Sequence, residues 1–298
     1  MVINKKSLAW RIRIILTYGF IIIAGLICFI PLCNMLAISF SSARANGANE
    51  VFLLPVEFTI DAYLLLLKES QFWKAFLISV TRVVLSLTIN LMMIVLTAYA
   101  MTKSERDFRG RNFFMGLLLF AMMFGGGTVP MYLLVKELGL INKIWALVLP
   151  GALPIFNAIM VKNFFLGIPS SLEESATIDG ANPFQILFRI MIPCSKPVLA
   201  TVALFSIVGN WNDYFSGLVY MTHEKNFPLM TYIRSATVNL QQMAEQGASI
   251  EQLEQAAKLS NESLTSAKLF IAIVPLLLIY PLLQKYLING ITVGAVKE

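Results

Sequence analysis

The sequence predicts an all-α membrane protein, and three observations support this fold class. Of its 298 residues, 57% are hydrophobic and only 13% are charged, whereas soluble domains carry about 25% charged residues. The mean hydropathy is +0.73. Six apolar segments each approach or exceed the roughly 20 residues that a membrane-spanning helix needs. This composition excludes a disordered chain, which would be poor in apolar residues, and it makes a soluble enzyme improbable.

The apolar segments predict one transmembrane domain over residues 1–298. We expect its helices at 14–38, 73–100, 112–134, 144–166, 198–220 and 266–288. The first is preceded by four basic residues, as a signal peptide is: Lys5, Lys6, Arg11 and Arg13. Its apolar stretch is too long for a signal peptide and no clear cleavage site follows, so we interpret it as a retained span.

The distribution of basic residues predicts the orientation in the membrane. The net charge is +6, and the charges fall between apolar runs, as in a membrane protein and not in a nucleic-acid-binding domain. Segments 1–13 and 101–111 are short and basic, whereas the longer 39–72 segment is not. The positive-inside rule therefore places both termini and the 101–111 loop in the cytoplasm. The 167–197 loop is then cytoplasmic, and the 221–265 loop is extracytoplasmic.

Two loops are longer than a simple connection requires. The 221–265 loop is polar, and its part near 240–259 has a helix-forming composition. Long loops of this kind are usually functional or disordered. The other is the 167–197 loop, in which Ser171 and Glu174 have the spacing of a capping box that starts a short helix. Gly180 suits the left-handed residue that ends such a helix.

A second short helix is predicted to follow in the 167–197 loop. Asn182 and Pro183 are suited to its first positions, and Pro193 and Pro197 are expected to end it and restart the chain. The first helix is acidic, whereas helices that lie on lipid are usually basic. We therefore favour a protein partner for it, and the small side chain of Ala176 would let that partner approach closely.

The same loop resembles a motif of permease subunits of binding-protein-dependent ABC importers, E-A-A-x-x-x-G-(x)9-I-x-L-P. The matching residues are Glu174, Ala176, Gly180, Ile190 and Pro193. Ser175 replaces the first alanine of the motif, and Ile192 replaces its leucine. Segments 126–150 and 209–213 are also similar to sugar-uptake permeases of the LplC/YtcP type. Oligosaccharide importers, alginate importers among them, look most similar within this family.

The resemblance implies the fold of type I ABC importer permeases, the MetI-like fold, with six spans and a cytoplasmic coupling helix. It implies a second permease subunit, two ATPase subunits that bind ATP and Mg, and an extracytoplasmic solute-binding protein. This chain would then be non-catalytic and carry no cofactor. It would lie in the bacterial inner membrane as part of a hetero-oligomer. The residues expected to couple it to an ATPase are Glu173, Glu174, Ala176, Asp179 and Gly180.

Polar residues in the second span form a candidate translocation path. Helical spacing places five of them within an arc of about 80°: Ser79, Arg82, Ser86, Asn90 and Thr97. Charged groups within spans are rare and usually functional. Two interpretations of Arg82 remain open: it lies on the path, or it forms a structural ion pair with Asp213.

The fifth span carries a second polar cluster that suits either sugar binding or helix packing: Asn210, Trp211, Asn212, Asp213 and Tyr214. Aromatic faces, amides and carboxylates can bind sugars. The same side chains also occur in aromatic belts at the membrane interface and in polar contacts between helices. The sequence slightly favours packing.

Other chemistry has little support in the sequence. Gly125–Gly127 lacks the lysine of a phosphate-binding loop, so any ATP must be bound by another chain. A single histidine and three cysteines without metal-ligand spacing give no metal or catalytic site, and we expect the cysteines to be free, packed thiols.

The leading hypothesis is thus a permease subunit that imports a sugar or oligosaccharide by alternating access. One alternative is an ATP-independent carrier or channel in which Arg82 binds a coupling anion. Another is a membrane assembly factor in which the 221–265 loop is the working part. Neither alternative requires the capped acidic helix in the 167–197 loop.

Overall fold

The computed structural model describes residues 8–235 and 262–295, and within these ranges it is helical without strands. The first helices are α1 (Leu8–Ser39), α2 (Ala43–Gly47), α3 (Asp61–Lys68), α4 (Ser70–Thr102), α5 (Arg111–Met123), α6 (Thr128–Glu137), α7 (Trp145–Val148) and α8 (Ile155–Leu166). They are followed by α9 (Ser170–Ile178), α10 (Pro183–Ile186), α11 (Ile192–Cys194), α12 (Lys196–Asn212), α13 (Phe215–Tyr220), a helical segment at 229–235, and α14 (Glu262–Ala295). The prediction of an all-α protein is confirmed.

The chain divides into two compact units. Unit one takes its described residues from 1–70 and 235–273, and unit two takes them from 71–234 and 274–298. In unit one, the buried amide of Asn46 donates to the hydroxyl of Ser263 at 2.6 Å. Lys268 forms an ion pair with Glu69 at 2.8 Å. These polar contacts tie the start of α14 to the segment around α2 and α3.

Three continuous helices are long and apolar enough to span a membrane: Trp10–Ser39, Ser70–Thr102 and Glu262–Leu282. Three further spans are possible only if each of three bent helix pairs counts as one. Length and composition alone support this assignment, so six spans with the predicted bounds remain a prediction.

Three of the predicted spans are not continuous helices: two of them contain a bent helix pair, and the third is interrupted. In 112–134, α5 and α6 meet at 113° across residues 124–127, where Gly127 has a φ of +84°. In 144–166, the chain bends by 47° before α8, and Pro154 stands directly before that helix. The 198–220 segment is divided between α12 and α13, which are interrupted at residues 213–214.

The core of unit two joins α4 to the helices that follow it. Ile94, Ala98 and Tyr99 of α4 are buried against Val161 and Phe165 of α8. Further members of this cluster come from the 186–202 region: Ile186, Leu187, Met191, Val198 and Val202. The burial of these apolar side chains positions the 167–197 loop beside the end of α4.

Most of the predicted 221–265 loop, with its expected helix near 240–259, lies outside the described residues. The described part begins with a short 3-10 helix, Glu224–Asn226. The helical segment at 229–235 then packs closely on α13, because a Cβ on Gly217 would lie 2.0 Å from the hydroxyl of Thr231. This position therefore requires glycine.

Candidate functional site

The acidic helix of the 167–197 loop is α9, and its end forms as predicted while its start does not. Pro169 occupies the N-cap position without a side-chain hydrogen bond, so the capping box predicted for Ser171 and Glu174 is wrong. Ser171 already lies inside the helix. At the other end, Gly180 has a φ of +80°. Its amide donates to Thr177, and the next amide donates to Ala176, which is a Schellman motif.

The second short helix starts as predicted and continues further than expected. Asn182 and Gln185 form a reciprocal capping box at the start of α10. The helix continues through a π-helical stretch, Leu187–Met191, and through Pro193 to Cys194. It then bends by 84° into α12 at Ser195. Pro193 therefore does not end the helix, and it lies two residues after the π-helical stretch, where the backbone hydrogen-bond pattern is already altered.

One face of α9 points towards the end of α4. The carboxylate of Glu173 binds the ammonium of Lys103, and the hydroxyl of Tyr99 donates to it at 3.1 Å. One turn further along, Ala176 packs against the core of unit two. Ala176 therefore faces its own chain, which corrects the expectation that it lets a partner approach.

The opposite face of α9 is exposed. Glu174 and Asp179 lie in solvent, and Ile178, one turn after Glu174, is 86% exposed. The other large apolar side chain of this helix, Leu172, is 44% exposed, so Ile178 is the more exposed of the two. The five predicted coupling residues are thus divided between an inward face, an outward face and the turn at Gly180. The sequence analysis missed Ile178, although its spacing of four from Glu174 was a usable signal.

The polar residues predicted to share one face of α4 do face the interior of unit two. Ser79, Arg82, Ser86 and Asn90 are each no more than 3% exposed, and Thr97 is half-buried. Ser79 accepts a hydrogen bond of 2.8 Å from the amide of Leu229, at the start of the 229–235 helix. Within the described ranges, the hydroxyl of Ser86 has no hydrogen-bond partner.

Arg82 forms the ion pair with Asp213 that was one of the two predicted alternatives. One guanidinium nitrogen binds the carboxylate at 2.5 Å, and another donates to the main-chain carbonyl of Asp213 at 3.1 Å. The second carboxylate oxygen accepts from the amide of Ser216 at 3.1 Å. Arg82 therefore holds the interruption between α12 and α13.

Asn90 lies beside another interruption, the bend between α7 and α8. The amide orientation that satisfies all its neighbours has the nitrogen donating to the carbonyls of Gly151 and Ala152, at 3.0 and 3.1 Å. Its oxygen then accepts from the hydroxyl of Ser206 at 2.8 Å. The last carbonyls of a helix have no partner within it. The side-chain amide of Asn90 therefore replaces the backbone N–H donors that Gly151 and Ala152 lose at the bend.

The cluster predicted in the fifth span is divided between packing and exposure. Trp211 is buried and meets the ring of Phe76 edge-on, with ring centroids 5.6 Å apart. The amide of Asn210 donates to Ser206 in its own helix at 2.8 Å. Asn212 is exposed and Asp213 is partly exposed. Seven residues of the two polar clusters are the predicted path residues: Arg82, Ser86, Asn90, Asn210, Trp211, Asn212 and Asp213. Four of them are thus enclosed within unit two, namely Arg82, Ser86, Asn90 and Trp211.

An exposed cation beside this cluster was missed by the sequence analysis. The guanidinium of Arg234 lies 4.7 Å from the centre of the Tyr214 ring, and both side chains are exposed. Arg234 follows the predicted fifth span by fourteen residues, so only the fold brings the two together. Stacking orients a guanidinium and leaves its N–H edge available for a carboxylate.

The cysteines are only partly as expected. All three are free thiols, but Cys28 and Cys194 are exposed and Cys33 is half-buried. The expectation that they are packed is therefore wrong for two of them in this single chain. Among the described residues, no group of three metal-ligating side chains comes together.

These features, a helical membrane chain with a capped loop helix beside the end of a polar span, define a transport component. Residues 94–293 match the model of the family described as the binding-protein-dependent transport system inner membrane component. The chain belongs to this family. The predicted fold class and the prediction of a non-catalytic permease subunit in the inner membrane are confirmed by this membership.

Individual proteins that are similar to this chain are also components of transport systems. The chain is 37% identical to the polygalacturonan/rhamnogalacturonan transport system permease protein YtcP of Bacillus subtilis, over 96% of this chain and 99% of that one. It is 38% identical to the protein LplC of the same organism, over 92% and 90%. A crystal structure of a bacterial ABC transporter involved in the import of the acidic polysaccharide alginate contains a chain that is 32% identical, with a TM-score of 0.82, over 94% and 98%.

Arg82→Ala should destabilise the protein by about 3–5 kcal/mol, because it leaves the partly buried carboxylate of Asp213 unpaired. Adding Asp213→Ala should recover only part of this loss, since Arg82 also binds the main-chain carbonyl. Thermal unfolding of the purified complex measures both effects, with the exposed Thr81→Ala as the matched control on the same helix. Strictly additive losses would contradict a structural ion pair.

Asn90→Asp should destabilise the protein although it hardly changes the volume of the side chain. The carboxylate cannot donate to the carbonyls of Gly151 and Ala152, and each unsatisfied buried group costs about 1–3 kcal/mol. Thr88→Val is the control, because Thr88 lies on the exposed side of α4 and bonds only within its own helix. An unfolding temperature equal to that of the Thr88→Val protein would show that Asn90 does not support the bend.

Proposed function

We propose that the chain is one of the two permease subunits of an ABC importer and forms half of the translocation path for an oligosaccharide of acidic sugars. The family, and the transport of acidic polysaccharides by proteins similar to it, support this proposal. Transport proceeds by alternating access, with the ATP and Mg bound on the ATPase subunits. The partners of this chain are the second permease, two ATPases, a solute-binding protein and the bilayer.

The observation that carries the proposal is the outward face of α9. Glu174 and Ile178 stand one helical turn apart on the side away from the core, and Asp179 follows at the end of the helix. An exposed apolar side chain beside carboxylates suits a protein surface with an apolar pocket and basic groups. We assign this face as the contact with an ATPase subunit, and Gly180 as the residue that ends it.

This assignment requires the 167–197 loop to lie in the cytoplasm. The basic 101–111 loop supports that orientation by the positive-inside rule, and Lys103 of that loop contacts α9 directly. Two segments that touch each other lie on the same side of the membrane. Both termini are then cytoplasmic, and the 221–265 loop faces the solute-binding protein.

An acidic substrate is supported by the pair of Arg234 and Tyr214. The aromatic ring presents a face on which a sugar ring can stack, and the guanidinium edge presents donors that match a uronate carboxylate. Asn212 is exposed in the same part of unit two and carries both a donor and an acceptor for hydroxyl groups. The enclosed residues Arg82, Ser86, Asn90 and Trp211 support the path from behind and reach the substrate only if the helices rearrange.

Glu174→Lys and Ile178→Asp should each reduce the amount of ATPase that co-purifies with the permease, because each introduces a charge that the partner surface does not match. Insertion should be normal, since both side chains lie outside the core. The measurements are co-purification and substrate-stimulated ATP hydrolysis in proteoliposomes. The control is Arg106→Gln, at an exposed residue of the neighbouring 101–111 loop.

Wild-type association for both variants would overturn the coupling surface. Uptake that continues without any ATPase would instead support the alternative of an ATP-independent carrier. A wild-type complex that assembles in the membrane but takes up no substrate would support the alternative of an assembly factor.

Arg234→Gln should raise the KM for a uronate oligosaccharide by about tenfold, which corresponds to the loss of about 1.4 kcal/mol. Uptake of a neutral oligosaccharide of the same length should be unchanged. Arg234→Lys should retain part of the affinity, because it keeps the charge but loses the planar fork. The control is Lys225→Gln, at an exposed cation that is not stacked on a ring. Equal changes for acidic and neutral substrates would contradict a carboxylate site.

A further inference from the structure

The contact between α9 and α4 consists of three side chains that meet at one carboxylate. Glu173 lies in the first turn of α9, and Lys103 follows the last residue of α4. The ammonium of Lys103 binds Oε1 of Glu173, and the hydroxyl of Tyr99 donates to the same oxygen at 3.1 Å. We call Tyr99, Lys103 and Glu173 the clamp.

Two of these side chains also hold each other in place. The ammonium of Lys103 lies 4.0 Å from the centre of the Tyr99 ring, a cation–π geometry. Tyr99 is only 7% exposed and belongs to the apolar core of unit two. The contact with Tyr99 of α4 therefore positions the ammonium of Lys103 without any contribution from α9.

The electrostatics favour the closed clamp. Partial burial opposes the positive charge of Lys103, but its interactions with Glu173 and Tyr99 together outweigh this effect and raise the pKa of Lys103 above its usual value. The carboxylate in the first turn of α9 is also favoured by the helix dipole. The raised pKa keeps Lys103 positively charged at neutral pH.

The clamp is not needed to form α9 or to bind a partner. The Schellman turn at Gly180 ends the helix, and Ala176 packs it against the core. Glu174 and Ile178, which we assign to the ATPase contact, lie on the other face. Lys103 and Glu173 therefore lie apart from both the turn that ends the helix and the face that we assign to docking.

We propose that the clamp makes α9 and α4 move as one body, so that Lys103 and Tyr99 are positioning residues that transmit ATPase movement to the translocation path. The inference rests on the proposed function and deepens it. α4 is the helix whose side chains hold the interruptions at Asp213 and at Gly151–Ala152. Any displacement passed to α4 therefore reaches the helices around the path.

The first test separates transmission from docking. Lys103→Ala and Glu173→Ala complexes should retain normal ATPase co-purification, while the oligosaccharide transported per ATP hydrolysed should fall about tenfold, within the usual range of coupling free energies. Exchange of the charges, Lys103→Glu with Glu173→Lys, should restore most of the coupling ratio. Tyr99→Phe, which keeps the ring, should cause an intermediate loss. Arg106→Gln is the control in the same loop.

The outcomes distinguish the two proposals. A normal coupling ratio in the Lys103→Ala complex would contradict the proposed role of the clamp, and it would not affect the proposed docking surface. Loss of co-purification in Lys103→Ala would also contradict the role of the clamp, because the residue would then belong to docking or assembly. Wild-type association in Glu174→Lys and Ile178→Asp would overturn the docking surface without affecting the clamp.

A second test asks whether the clamp stays closed during transport. Lys103→Cys and Glu173→Cys are introduced in a chain in which Cys28, Cys33 and Cys194 are replaced by serine, and are joined by a short bifunctional thiol reagent. The linked complex should transport with a higher coupling ratio than the same complex before linkage. A linked complex that hydrolyses ATP but no longer transports would show that α9 must separate from α4, and would overturn the proposal.

Discussion

A helix that is interrupted within a bilayer exposes N–H and C=O groups that water cannot reach, and each must find a partner inside the protein. Unit two has interruptions at Gly151–Ala152 and at Asp213, inside two of the predicted spans. Asn90 and Arg82 of α4 supply the missing partners. A carboxylate or guanidinium left alone in this environment would be strongly unfavourable. The path of the chain through unit two therefore depends on the polar face of α4.

The sequence predicts this face, but of its partners it offers only Asp213, as one of two alternatives for Arg82. Ser79, Arg82, Ser86 and Asn90 repeat at three or four residues, and a helical period is visible in a single sequence. The interruptions were harder to predict, because hydropathy is equally high on both sides of a bend. Glycine and proline mark the places where a helix can break, but they do not decide the angle. Contacts with residues more than one hundred positions away are set by tertiary packing alone.

The same limit applies to α9. Its C-terminal end was predictable because Gly180 takes a conformation that other residues avoid. The face of α9 that turns towards the protein was not predictable. Seven of its nine residues are polar or small, so many rotations about the helix axis leave it equally well solvated. Long-range contacts decide the rotation: Ala176 packs on the core and Glu173 binds Lys103 on one face, which leaves Ile178 on the other. The exposed isoleucine is therefore a consequence of the contacts on the opposite face.

The relative strengths of these contacts decide how movement travels through unit two. Lys103 and Glu173 are 24% and 33% exposed, so solvent screens their pair in part and it contributes less than an enclosed pair. The bonds of Arg82 and Asn90 are enclosed and cost several times more to break. The clamp is thus the weakest connection between α9 and the path. Its loss should uncouple the loop helix from α4 while the helices around the interruptions remain assembled.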